Sequence, residues 1–228
     1  LYTQRNSVLS DEVIMLPVGD DNSQRRRFPF VTYSLVIINV LAFLLELAGG
    51  EAFINTWSFI PGDFLVYPVF GVITIFTSMF LHAGWMHLGG NMLYLLIFGD
   101  NVEDRFGHFR FLLFYLLSGV AAILAQYMVS MNSRIPTLGA SGAIAGVLAA
   151  YLLLYPGRRV RVLVITWIVN MPALIVIGGW ILIQLISGIG SISDTRAGGV
   201  AYMAHIGGFV AGLILTMFMR SKARPNYY

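Results

Sequence analysis

The sequence predicts an all-α polytopic membrane protein, a bundle of six transmembrane helices with a long interfacial first loop. Three observations carry that expectation. Of 228 residues, 57% are hydrophobic and only 11% are charged, about half the charged share of an ordinary soluble domain. The apolar residues gather into runs long enough to cross a hydrocarbon core about 30 Å thick. The charged residues stand between these runs, with the basic ones concentrated in alternate gaps.

Composition also excludes several chemistries. There is no cysteine, which removes thiol nucleophiles, disulfides and thiolate metal sites together. The formal net charge is +3, but the basic residues flank apolar spans and form no patch interleaved with aromatics. Nucleic acid is therefore not expected as a partner.

Taken in order, residues 1–27 read as a polar cytoplasmic tail that ends in Arg25, Arg26 and Arg27. The first strongly apolar run follows that tail, so no cleavable signal is expected. A membrane domain over 28–220 comes next, then a short cytoplasmic tail over 221–228. The first span runs from about Val31 to Ala48 and stops at Gly49-Gly50; as helix it is about 27 Å long. From Glu51 to about Gly84 the connection carries Phe53, Trp57, Phe59, Ile60, Phe64, Tyr67 and Phe70. Two readings fit so apolar a loop: it lies in the membrane interface, where Trp and Tyr are favoured, or it packs on the helical body.

Hydropathy is high from Val72, and the break at His82-Ala83-Gly84 sets the second span at about Trp85 to Gly99. A charged turn follows at 100–105, then a third span from His108 to Met128. The fourth begins near Ser141 and ends near Tyr155-Pro156-Gly157, before Arg158, Arg159 and Arg161. A fifth is expected over roughly Val162 to Ile186, with Pro172 and Gly178-Gly179 as kink points. A Gly/Ser loop over Ser187 to Gly199 leads to the sixth, Ala201 to Met219. Six spans put both termini on one side. Arg25 to Arg27, Arg105, Arg110, Arg158, Arg159, Arg161, Arg220, Lys222 and Arg224 share it, against Arg134 and Arg196 opposite, so both termini are expected in the cytoplasm.

The chemistry centres on Thr137-Leu138-Gly139-Ala140-Ser141-Gly142-Ala143-Ile144-Ala145-Gly146. By itself this string favours close helix packing, because Gly142 with Gly146 and Ala145 with Ala149 are small-xxx-small pairs. The other polar groups change the balance. Ionisable residues in an apolar span are rare and point to function. His82, His87 and His205 all fall on the non-cytoplasmic half, whereas His108 belongs to a cytoplasmic turn. Gly208 and Gly212 share the helical face of His205, and that smooth face would let the sixth span press on the fourth. Ser141 and His205 would then meet at one depth, and a neutral imidazole could take the serine proton. His87 and Asn91, four residues apart, can donate toward one point and hold an oxyanion together with the Ser141 N–H. Interhelical hydrogen bonding is the structural alternative for Asn91.

The fourth span, about 21 Å as helix, is shorter than the hydrocarbon core. Ser141 would therefore lie below the outer surface, where only protein or water can satisfy the helix's first N–H groups. No carboxylate lies in the fourth or sixth span, so a Ser–His dyad is expected and not a triad. Glu46 reads as an interfacial group. No His-Glu-x-x-His occurs, so a zinc protease lacks its helix motif; a metal site from His82, His87 and His205 stays open, although no carboxylate accompanies them.

Three strings resemble the rhomboid intramembrane serine proteases: His82-Ala83-Gly84-Trp85-Met86-His87-Leu88-Gly89-Gly90-Asn91, then Gly139-Ala140-Ser141-Gly142, then Ala204-His205-Ile206-Gly207-Gly208 with Gly212. They stand in the family's order on spans two, four and six of a compact six-span bacterial type. The resemblance implies Ser141 as nucleophile, His205 as base, and His87, Asn91 and the Ser141 backbone as oxyanion hole. It implies His82 as a structural or water-organising neighbour and Gly139 as part of the tight backbone leading into the site. It further implies cleavage of transmembrane segments of other proteins, in contact with membrane lipid and without a cofactor, in a bacterial plasma membrane. Two departures stand out. The Trp-Arg pair of many bacterial members is absent, since Trp57 is followed by Ser58 and Phe59. The aromatic that some members place four residues after the serine is here Ala145, so another group, with Tyr202 and Phe209 the candidates, must hold the His205 ring.

Overall fold

The computed structural model describes residues 15–23, 25–193 and 201–219. Residues 1–14, most of the second half of the Ser187–Gly199 loop with Asp194 and Arg196, and the C-terminal tail with Arg220, Lys222 and Arg224 lie outside the described residues.

Among the described residues eight α-helices build the body. They are α1 (Phe30–Trp57), α2 (Pro68–Thr77), α3 (Trp85–Tyr94), α4 (Asp100–Phe106), α5 (His108–Val129), α6 (Ser141–Leu154), α7 (Ala173–Ser193) and α8 (Tyr202–Met219). Among the described residues α1, α5 and α8 are each long and apolar enough to cross a membrane. A stretch from α2 to α4 forms a broken pair, Pro68–Phe80 and Trp85–Phe106, bent by 80°. Two shorter apolar helices, α6 and α7, complete the set. A polytopic helical membrane bundle is thus what the apolar runs build.

α6 is the axis. Every residue from Gly142 to Tyr151 is buried, because α5 and α8 pack against it on two sides. Glycine makes the contact close: a Cβ built on Gly208 would stand 2.0 Å from the Gly142 carbonyl oxygen, and one on Gly212 would stand 2.5 Å from the Gly146 Cα. The expected glycine face of the sixth span therefore does meet the small-residue face of the fourth.

Several boundaries differ from the sequence reading, each for a physical reason. The first helix does not stop at Gly49-Gly50 but kinks at Gly50 (φ 60°) and continues to Trp57. Glu46, read as an interfacial group, is buried by the surrounding bundle; its carboxylate accepts the His82 backbone N–H at 3.0 and 3.1 Å. α7, where the fifth span is expected, begins at Ala173 and not at Val162. The apolar run before it is a hairpin of β2 (Arg159–Val164) and β3 (Trp167–Pro172). Residues Met15–Gly19, read as part of the polar tail, form β1, which pairs antiparallel with β2 to give the order β1-β2-β3. β1 is an edge strand, where Pro17 is tolerated. Val160 and Val162 point into the core, while Arg159 and Arg161 are exposed between them.

Polar groups tie this end together. Asp20 Oδ2 accepts from Tyr151 OH at 2.9 Å and from Asn101 Nδ2 at 2.8 Å, and Arg25 pairs with Asp100 at 2.7 Å. The fully buried Glu103 carboxylate accepts the Val31 and Thr32 backbone N–H groups at 2.9 and 2.7 Å and the Thr32 hydroxyl at 2.7 Å. It thereby satisfies the unpaired N–H groups that open α1. His108 Nδ1 lies 2.6 Å from the same carboxylate.

The long first loop is packed on the helical body at one point and exposed at another. Phe59 is fully buried against Ile75 and Ile123, whereas Leu65, Val66, Tyr67 and Val69 are exposed. Phe59 and Thr137 exchange two backbone hydrogen bonds, and Gly62 N–H donates to the Ser133 carbonyl. Arg134 pairs with Asp63, so an arginine from the loop before α6 anchors a first loop that lacks its own.

Candidate active site

Ser141 is the first residue of α6, with Ala140 as its N-cap. The loop leading to it is fixed by the Phe59–Thr137 pairing and by the Gly139 N–H, which donates to the Ser78 carbonyl at 2.9 Å. Gly139 has φ +125°, a conformation that L side chains rarely adopt. The His87 ring also lies where a Cβ on Gly139 would project: Cε1 and Nε2 would each be 2.9 Å from it. Gly139 thus gives the loop its bend and leaves room for His87 beside Ser141.

His205 lies in the first turn of α8. Its Nε2 stands 2.7 Å from Ser141 Oγ, and its Nδ1 stands 2.7 Å from Gln184 Oε1 on α7. A carboxamide oxygen only accepts, so Nδ1 carries the proton and Nε2 is left to accept from the serine hydroxyl. The opposite tautomer holds at His87. The Ala83 backbone N–H donates to His87 Nδ1 at 3.3 Å, which leaves Nε2–H as the donor on the side of Gly139 and Ser141. The two imidazoles present an acceptor and a donor, respectively, toward one serine.

Asn91 is buried one turn along α3 from His87, and its Nδ2 has no protein partner among the described residues. A buried donor without a partner is costly. A developing negative charge in the cavity would supply one. The Ser141 N–H is among those that open α6 and have no acceptor within the helix. His82 is fully buried beside this group, its ring centroid 5.1 Å from that of His87. The site opens into a cavity of about 570 Å³. Ser141, His205, His87 and Asn91 line it, together with Tyr94 and Trp180. Among the described residues no three His, Cys, Asp or Glu side chains gather as a metal site would require.

Every site residue expected from the sequence is therefore in one place. Sequence reasoning missed the support from α7. Trp180 holds its ring 5.6 Å from the His205 imidazole, and Gln184 holds the far nitrogen. Neither Tyr202 nor Phe209 is needed to explain what replaces the aromatic absent at Ala145. A glutamine in the middle of a largely apolar helix was the available signal.

Comparison with known proteins bears on the same strings. A family model described as the Rhomboid domain matches residues 70–222. "Rhomboid protein 1, mitochondrial" of Saccharomyces cerevisiae is 30% identical over 199 residues, covering 85% of this chain and 54% of its own length. "Rhomboid protease AarA" of Providencia stuartii is 30% identical over 183 residues, 69% of this chain and 57% of its own length. "Rhomboid protease GluP" of Bacillus subtilis is 36% identical over 126 residues, 54% of this chain and 24% of its own length. The chain spans about half the length, or less, of the curated relatives it matches.

Proposed function

This chain belongs to the rhomboid family, and we propose that it is an intramembrane serine endopeptidase cleaving transmembrane segments of other proteins through Ser141 and His205. The observation that carries the reading is the 2.7 Å hydrogen bond between Ser141 Oγ and His205 Nε2 at a cavity large enough for peptide and water. Two of the relatives above are themselves named proteases.

Each residue then has a distinct role. Ser141 Oγ attacks the scissile carbonyl carbon as its proton passes to His205 Nε2. The carbonyl oxygen becomes an oxyanion that accepts from His87 Nε2–H, Asn91 Nδ2 and the Ser141 N–H. Each such donor is typically worth about 10² to 10³ in rate. The C–N bond then breaks, and the imidazolium returns its proton to the leaving amine. Water attacks the acyl-serine with His205 again taking the proton, which releases the acid and restores Ser141. All of these groups are side chains or backbone of this chain, so the scheme requires no metal or other cofactor.

In this reading the catalytic unit is the membrane domain over 28–220, six spans sharing contact with lipid and flanked by cytoplasmic segments over 1–27 and 221–228. We place both termini in the cytoplasm of a bacterial cell with the protein in its plasma membrane. Arg25, Arg158, Arg159 and Arg161 cluster with β1 and β2 at the end of the bundle away from Ser141, which agrees with a positive cytoplasmic side. The test is cleavage of a single-span protein in proteoliposomes. Cleavage by the wild type and none by Ser141→Ala or His205→Ala is expected; cleavage that survives Ser141→Ala would remove the assignment.

A further inference from the structure

His205 can act as a base only if its proton sits on Nδ1, away from Ser141. Neither α6 nor α8 carries a carboxylate to hold that proton. Among the described residues the side chain that meets Nδ1 comes from α7: Gln184, 8% exposed, with Oε1 at 2.7 Å. Its placement is built into the helix. Trp180, Gln184 and Gly188 recur every four residues and so share one face. Trp180 lies beside the imidazole. A Cβ on Gly188 would come within 3.1 to 3.3 Å of Met203, Ile206 and Tyr202, so α8 passes close by at that point. The neighbouring Leu182, Ile183, Leu185 and Ile186 face outward and are exposed. α7 thus turns an amide toward the bundle, at a place where an unpaired amide would be costly.

We propose that Gln184 is a positioning residue for the His205 base, fixing its Nδ1–H tautomer and ring orientation, and that it does so only while α7 is seated against α8. The proposal deepens the serine-protease reading and rests on it. A neutral amide suits this role because it accepts the Nδ1–H bond without bringing a charge into an apolar wall. It also leaves Nε2 free to accept from Ser141. Because Trp180 and Gln184 are on one face of one helix, a shift of α7 away from α8 withdraws both from the imidazole together. The competence of the dyad is then coupled to the seat of a helix that contributes no reacting atom.

Gln184→Met keeps the length and removes the acceptor, Gln184→Glu restores an acceptor, and Gly188→Leu leaves Gln184 intact but pushes α7 from α8. ¹⁵N-histidine spectra of full-length protein near neutral pH report which ring nitrogen of His205 is protonated. Wild type is expected to show Nδ1–H, the Met and Leu variants a mixture containing Nε2–H, and the Glu variant Nδ1–H again. In parallel kcat should fall by about 10- to 100-fold in Gln184→Met, by analogy with the loss of a hydrogen-bond partner that orients a metal-bound histidine. KM should be unchanged, and Gln184→Glu should recover much of the loss. An Nε2–H tautomer in wild type, or a Met variant with wild-type tautomer and kcat, overturns the proposal. A wild type that cleaves nothing while its tautomer still depends on Gln184 removes the protease reading and leaves the Gln184–His205 relationship standing.

Discussion

Gly208 of α8 lies against Gly142 of α6 so tightly that a Cβ on Gly208 would stand 2.0 Å from the Gly142 carbonyl oxygen and 2.8 Å from its carbonyl carbon. That contact sits three residues from His205 and one from Ser141. It therefore sets the separation of the two elements that carry the dyad.

Gly208→Ala should accordingly part α6 from α8. The new atom meets backbone, which cannot rotate aside, so the cost should reach the upper part of the roughly 1–3 kcal/mol range for overpacking. Thermal unfolding in detergent should show a lower Tm, and cleavage should fall because His205 Nε2 moves out of reach of Ser141. A Gly208→Ala protein with wild-type Tm and activity would contradict this packing.

Removing either oxyanion donor should slow chemistry without weakening binding. His87→Ala and Asn91→Ala are each expected to lower kcat by about 10² to 10³ with little change in KM. Steady-state kinetics on a single-span substrate checks this. A loss confined to KM would assign these side chains to substrate binding instead.

Gly139→Ala tests the loop that delivers Ser141. The φ of +125° strains any L side chain, and the added Cβ would crowd the His87 ring at 2.9 Å. We expect a loss of roughly 1–3 kcal/mol in stability and a fall in kcat larger than that stability loss explains, since His87 must move.

Asp20 gives the opposite end of the molecule a pH dependence. Burial pushes its carboxyl up from 3.8 to about 6; the Tyr151 hydrogen bond and Arg158 oppose the rise, and Asp100 and Asp21 add to it. Its Oδ1 is buried without a partner among the described residues. A carboxyl raised on folding stabilises the folded state when protonated, so the contribution is complete below about 3.8 and is lost as pH rises through about 6. Hydrogen exchange of the β1 amides, corrected for intrinsic rates, should be slower at about pH 5 than at about pH 7.5. Asp20→Asn should abolish the difference, and a difference that survives the substitution would place its origin elsewhere.

What is legible in the sequence is governed by helical spacing. His205 with Gly208 and Gly212, and His87 with Asn91, can be assigned to faces because three or four residues make one turn. Ser141 gains meaning from those partners and not from its own string. The support from α7 is hidden by a boundary error. The stretch from Val162 to Met171 is as apolar as a span, and hydropathy alone cannot tell a short apolar strand from a helix. The alternation of Arg159, Val160, Arg161 and Val162 leading into it carries the period of two that marks a strand. With the fifth span begun too early, Gln184 falls near its expected end and draws no attention. β1 is missed for the converse reason: four apolar-leaning residues, Met15 to Val18, stand inside a polar segment, and their partner strand is 140 or more residues away in the chain. The end of α1 is misplaced because Gly49-Gly50 reads as a stop, whereas a glycine with positive φ can kink a helix and let it continue.

Mass-spectrometric mapping of the adduct formed when detergent-purified protein is treated with a fluorophosphonate tests the Ser141–His205 dyad directly. Such a reagent phosphonylates a serine whose hydroxyl is activated by a neighbouring base. One modified residue is expected, Ser141, with labelling abolished in Ser141→Ala and strongly reduced in His205→Ala. Modification at another serine, or labelling of Ser141 that is unchanged in His205→Ala, would contradict it.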